Sequence, residues 1–266
     1  MKDSFFYAYP IVLTGLLLTL ALFAAMELGF YLGRRQAARW PEGDTPVGKM
    51  VLTTLFALLG LILAFTYSAG VSRYEARKAA AVEESNALGT AFLRADLLRE
   101  PGRSELRFVL YEYAQTRTYP QGYLYTPAEA QVIIDRTLAA QALVWPAMRK
   151  AAAEDNPVPV VLAVVAAVNN VLDIHNVRLM ADFDKLPSVV VWLLVFIACC
   201  AIGVLGFNAG LVGRMSRWRM GSLAMVLVYV ILMIVDFDRP DDGFIQVDLR
   251  AIDVVVAEMG AALAKS

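Results

Sequence analysis

Apolar positions along the chain fall into four long runs, separated by a stretch in which they recur at helical spacing instead. The stretch that organises the rest is Met50–Ala91, MVLTTLFALLGLILAFTYSAGVSRYEARKAAAVEESNALGTA. Its first half is an apolar run of about twenty residues, long enough to cross a bilayer as a helix. Its second half is polar but keeps a helical pattern, and no Pro interrupts the passage between them. The pattern predicts one rod that leaves the membrane at Gly70–Ser72 and continues into water. A first span is expected over 5–32, with Tyr7 and Tyr9 at one end and Tyr31 at the other, where amphipathic rings favour the headgroup level. The second span is 50–71, the third 188–212 and the fourth 221–235. The fourth is short and borrows Arg219 and Asp236 as snorkelling ends.

Between the second and third spans, 72–186 reads as a helical soluble domain whose first helix continues the second span. Pro101-Gly102 and Pro120–Gly122 break it. Thr126-Pro127-Ala128-Glu129 has the signature of a helix start, with Thr as N-cap, Pro first and Glu third. The run from Val158 to Val168 is apolar but only about eleven residues long, which suits a buried core helix better than a span. The third span carries Gly203, Gly206, Gly210 and Gly213, small residues that let another helix approach closely. The tail, 237–266, holds a turn at Pro240–Gly243, a short extended piece, FIQVD, and a terminal amphipathic helix. The fold class is therefore an all-α integral membrane protein: four transmembrane helices in a two-plus-two arrangement around a central helical soluble domain.

Composition agrees. Of the residues, 59% are hydrophobic and 18% charged, where soluble domains carry about a quarter charged residues. The net charge of -1 gives no whole-chain field to attract nucleic acid. Cys199 and Cys200 are helix neighbours that point in different directions, so no disulfide joins them. A single histidine, His175, excludes a multi-histidine metal site, and no metal or cofactor is expected. No phosphate-cradling Gly loop, nucleophile elbow or zinc spacing appears, which argues against the commonest enzymes. The N-terminus lacks a basic region and a small-residue cleavage site, so the first run is expected to be retained.

Three blocks resemble the bestrophin-like family of bacterial four-span membrane proteins. They are LLGLILAFTYSAGVSRYEARKAAAVEESNALGTAFLRADLL, NVLDIHNVRLMADFDKLPSVVVWLLVFIACCAIGVLGFNAG and IVDFDRPDDGFIQV, the last like the family's terminal Asp-Arg-Pro…Gly-x-Ile-x-Val block. The order and spacing of the spans match as well. Through the two-plus-two arrangement with a helical insert, the resemblance extends to the true bestrophins, which are pentameric anion channels. It implies a multi-pass protein of the bacterial inner membrane whose partners are the lipid bilayer, further copies of itself in a homo-oligomer (a pentamer in the true bestrophins) and small ions. Phe56 and Phe65 are the residues available for an aromatic neck like theirs.

If the second span lines a pore, the Thr66, Tyr67 and Ser68 hydroxyls and the Leu59, Leu63, Gly70 face are its lining, with Leu59 and Leu63 as a hydrophobic constriction. Arg73, Arg77 and Glu84 share one face of the rod, where they either ring a pore mouth or serve as interfacial anchors and helix salt bridges. Glu27 lies inside the first span. It is either a proton or cation contact in a transport path or a carboxylate snorkelling toward Arg34 and Arg35. His175 is either a pH sensor or a satisfied structural residue. Asp236, Asp238, Arg239, Asp241 and Asp242 read as a solvated acidic turn.

Seven basic residues, Arg34, Arg35, Arg39, Lys49, Arg214, Arg217 and Arg219, lie in the short loops and their flanks, which the positive-inside rule places in the cytoplasm. Against that stand Arg73, Arg77, Lys78, Arg178 and Lys185 near span ends on the other side, and the cytosolic helical part of the true bestrophins. The leading function is an oligomeric ion channel, anion-selective by the resemblance. The alternatives are a membrane-anchored signalling or assembly protein whose helical domain binds a partner, and a transporter in which Glu27 faces a central cavity.

Overall fold

The computed structural model describes Phe6, residues 9–39, 46–118, 126–239 and 243–265. Among these residues the regular structure is helical throughout. The helices are α1 (Ile11–Arg39), α2 (Pro46–Ala95), α3 (Gly102–Thr116), α4 (Pro127–Ala152), α5 (Val158–Phe183), α6 (Ser188–Val212), α7 (Arg217–Phe237) and α8 (Arg250–Leu263). Four helical stretches are long and apolar enough to cross a membrane: Ile11–Arg39, Gly48–Ala95, Val158–Val212, which includes α6, and Arg217–Phe237. The Pro-free passage through Gly70 is helical without a break, and α2 runs for 50 residues.

The described residues form two compact units. The first takes the chain up to Arg73 together with Lys185–Arg239, and so contains α1, α6, α7 and the apolar part of α2. Its core joins Leu18, Leu22 and Met26 of α1, Leu59 of α2, Leu194, Ala198 and Ile202 of α6, and Leu227, Ile231 and Ile234 of α7. α1 and α6 meet backbone to backbone. A Cβ placed on Gly29 would lie 2.0 Å from the Gly203 carbonyl oxygen, and one on Gly33 would lie 2.1 Å from that of Phe207. From the other side, a Cβ on Gly206 would stand 2.3 Å from the Met26 oxygen and one on Gly210 2.3 Å from that of Phe30. The glycines of the third span therefore serve α1. Gly213 is the exception, since it closes α6 in the left-handed conformation, at φ 75°.

The second unit takes Tyr74–Asp184 and the described part of the tail. Its core is built from Leu88 and Phe92 of α2, Leu106, Leu110 and Tyr113 of α3, Val144 and Met148 of α4, Val164, Val168 and Val171 of α5, and Met259 of α8. The apolar opening of α5 thus gives one face to the core, through Val164, Ala167 and Val168, while Val158 and Leu162 on its other face are exposed. The start of α4 is a complete capping box: the Thr126 hydroxyl accepts from the Glu129 N–H, and the Glu129 carboxylate accepts from the Thr126 N–H. The segment FIQVD runs as irregular chain into α8, and Ser85 of α2 donates to the Ala251 carbonyl there at 2.8 Å.

Candidate functional site

The apolar part of α2 has two unlike faces. Leu59 is 1% exposed inside the core of the first unit, and Leu63 packs against that core. Thr66 and Gly70 are buried on the same side, the Thr66 hydroxyl donating to the Ile62 carbonyl at 2.7 Å. Gly70 faces the Ile234 oxygen and Phe237 of α7, and Tyr67 stacks edge-on against Phe237 at 5.7 Å. The expected lining of Leu59, Leu63, Thr66 and Gly70 is corrected by this packing. Those positions, spaced by three and four, form the stripe with which α2 holds its own unit. The opposite stripe is exposed: Thr54, Ala57, Leu61 at 55%, Phe65 at 69%, Ser68 and Ser72. Of the expected hydroxyls only Ser68 stands in this row. Of the two aromatic candidates Phe65 lies on it, while Phe56 packs against the core.

Further along α2 the charged face turns inward. Arg77 is 2% exposed and Glu84 fully buried, so neither meets open water, and Arg73 is half-buried. Glu84 accepts from Arg178 Nη1 of α5, from Arg117 Nε just beyond α3 at 2.7 Å, and from the Tyr113 hydroxyl at 3.3 Å. That hydroxyl also bonds His175 Nδ1 at 2.9 Å, while His175 Nε2 is buried with no hydrogen-bond partner among the described residues. Burial alone would raise the Glu84 carboxyl, but the charges and hydrogen bonds of Arg117 and Arg178 outweigh it and hold the carboxyl below its ordinary value. Burial, reinforced by the charge of Glu84, drives the Tyr113 phenol upward. Burial, reinforced by Arg117, pushes the His175 imidazole below its ordinary value. Glu84 is therefore a neutralised ion-pair centre and not a source of charge at a mouth. His175 is neutral at physiological pH.

Glu27 does not reach for Arg34 and Arg35. Its carboxylate takes Arg217 at the start of α7, Nε at 2.8 Å and Nη2 at 3.3 Å, in a pair that stays largely exposed. The acidic turn is corrected too: Asp236, Asp238 and Arg239 are buried. Asp238 Oδ2 accepts from the Leu186 N–H at 2.8 Å, fixing the entry to α6. Arg239 Nη2 donates to the Phe6 carbonyl and, at 2.7 Å, to that of Tyr9. Buried polar groups need such partners, and the end of α7 supplies them to two other elements of its unit. Asp241 and Asp242 lie outside the described residues. No group of three or more His, Cys, Asp or Glu side chains suited to a metal ion occurs among the described residues.

The Bestrophin-like domain family matches residues 20–252. The chain belongs to the Bestrophin-like family. Its fold is that of solved relatives. A Tyr-to-Ala variant of a bacterial bestrophin homologue from Klebsiella pneumoniae is 14% identical, covers 96% of this chain and 98% of its own, and gives a TM-score of 0.62. A Trp-to-Ala variant of that homologue is 14% identical over 92% of this chain and 96% of its own, with a TM-score of 0.60. A structure described only as a membrane protein is 13% identical over 95% and 98%, with a TM-score of 0.64. No curated protein matches the sequence at a significant level. The Bestrophin-like protein is thus a helical membrane protein, and its family supports an ion channel rather than an enzyme.

Proposed function

We propose that this chain is a subunit of a homo-oligomeric ion channel of the bacterial inner membrane, with its two hairpins in the bilayer and its helical unit in water. The path is lined by the exposed row of α2. The observation that carries this reading is the bareness of that helix. Within the chain, 11% of the apolar window of Gly48–Ala95 is buried, against 44% of that in Arg217–Phe237. A span left so bare by its own chain needs either lipid or further copies around it. Its outer row, moreover, is not uniformly lipid-like: Thr54, Ser68 and Ser72 bring hydroxyls, and Leu61 and Phe65 bring the apolar collar on which a pore gates by dewetting.

Selectivity divides two readings. The family resemblance implies anions. The first charged side chain after Ser72 on the exposed row is Glu75, which favours cations at that entrance. Purified protein reconstituted in liposomes should pass small ions, with Leu61→Ala and Phe65→Ala raising the flux. Reversal potentials under a salt gradient assign the sign, and Glu75→Gln should weaken a cation preference and leave an anion preference in place. Absence of flux from about pH 5 to 8, across the range in which a histidine titrates, would overturn the channel reading.

A further inference from the structure

One end of the first unit gathers positive charge from two separate loops. The close approach of α1 and α6 sets Gly33 against Gly210, and the Arg34 amide nitrogen lies 2.9 Å from where a Gly210 Cβ would stand. The last turns of α1, with Arg34, Arg35 and Arg39, therefore end beside the end of α6. From there the chain passes through Arg214 into Arg217, Trp218 and Arg219 of α7. Two triplets far apart in sequence become one patch.

Among the described residues that patch has little counter-charge of its own. The acids among the described residues of the first unit are Glu27, Asp236 and Asp238. Glu27 is engaged by Arg217. Asp236 and Asp238 are buried at the other end of α7. No carboxylate among the described residues pairs with Arg34, Arg35, Arg39, Arg214 or Arg219, and all five are exposed. Arg35 lies over the Tyr31 ring at 4.4 Å and Arg34 near that of Phe30 at 6.0 Å, so the chain itself supports their stems while their heads stay available. Trp218, between two arginines at the start of a membrane helix, is 83% exposed. An indole there sits at headgroup level, with its body toward the acyl chains. Planar, permanently charged guanidinium forks suit a phosphodiester.

We propose that this end of the first unit is a binding site for an anionic phospholipid. Its phosphate is held by Arg34, Arg35, Arg39, Arg214 and Arg219, and its upper acyl region lies against Trp218. The site does not depend on whether the protein conducts.

The test uses the full-length protein in neutral detergent, with phosphatidylglycerol and phosphatidylcholine as probes. Phosphatidylglycerol should raise the melting temperature more than phosphatidylcholine, at an apparent affinity at least tenfold higher. The preference should fall steeply as salt is raised from about 0.05 to 0.5 M, as screening requires. The double variant R214Q/R219Q should lose most of the preference while melting like the wild type in phosphatidylcholine, and R214K/R219K should keep part of it. Equal effects of the two lipids, or a preference unmoved by salt in the wild-type protein, would overturn the proposal without recourse to any variant. Millimolar inorganic phosphate reproducing the stabilisation without lipid would also overturn it, by assigning the patch to a free anion.

Discussion

The two units solve the problem of holding helices together by opposite means. In the first, α1 and α6 touch through backbone, with Gly29 and Gly33 against Gly203, Gly206 and Gly210. In the second, the interior is ordinary aliphatic packing interrupted by a charged knot of Glu84, Arg117, Arg178, Tyr113 and His175. With the first unit in the bilayer and the second in water, as proposed above, the contrast follows from the surroundings. Lipid tails are as apolar as leucine, so helices inside a bilayer gain by close approach rather than by escaping solvent, and small residues permit it. A unit in water has hydrophobic burial to offset the desolvation of a buried ion pair. The same chain therefore concentrates its sensitivity to mutation at side-chain-free positions in one unit and at charged positions in the other.

Gly206→Leu should be the most damaging change. Its Cβ would stand 2.3 Å from the Met26 carbonyl oxygen, and because backbone cannot step aside the cost exceeds the roughly 1–3 kcal/mol of ordinary overpacking. The measurement is recovery of monodisperse protein in detergent. Gly60→Ala, where a Cβ meets nothing within 4 Å, should recover normally. Next comes Glu84→Ala, which leaves the buried Arg178 and the partly buried Arg117 without their shared carboxylate and should cost about 3–5 kcal/mol in denaturant unfolding. Full tolerance of either the Gly206 or the Glu84 change would erase the distinction between the units. Tyr113→Phe keeps the shape and removes the hydroxyl shared by Glu84 and His175, for a loss of roughly 1–3 kcal/mol.

Acid sharpens the comparison further. Because the folded His175 is held below its ordinary value of 6.5, the unfolded chain takes up the proton first. Its contribution is complete above that value and is lost as pH falls through it toward the lower folded value. Glu84 is held below 4.5, so its own contribution persists until pH drops under that figure. Between about pH 7.5 and 5.5 the second unit should therefore lose stability through the histidine alone, and His175→Gln should flatten the slope of melting temperature against pH. The smallest effect belongs to Glu27→Gln, whose pair with Arg217 is exposed. Melting should not move measurably, and unchanged flux would set aside proton coupling through this residue.

What is legible in the sequence is local. Runs of apolar residues mark the membrane helices, the Pro-free passage through Gly70 marks α2, and Thr126–Glu129 marks the start of α4. Gly203, Gly206 and Gly210 announce a close approach, though not to which helix. The corrections concern facing. The stripe of α2 carrying Leu59 and Thr66 has the residues to line a path, and periodicity alone does not say which side of an apolar helix meets its own chain. The Glu84 knot is illegible because Arg117 and Arg178 lie 33 and 94 residues away. Glu27 finds Arg217, 190 residues on, rather than its sequence neighbours. Proximity in sequence proposes partners for a charge, but helix packing selects them.

The grip of Arg239 on the carbonyls of Phe6 and Tyr9 joins positions up to 233 residues apart. At roughly 5–20 residues per second, a ribosome needs about ten seconds or more to supply the second after the first. Throughout that interval the early segment lacks the Arg239 guanidinium, and for most of it α1 has no α6 to close upon. Biogenesis of this protein is thus a waiting process, in which the opening hairpin remains provisional until the closing one arrives, and a nascent chain arrested before α6 should be released as an unlocked, protease-sensitive intermediate.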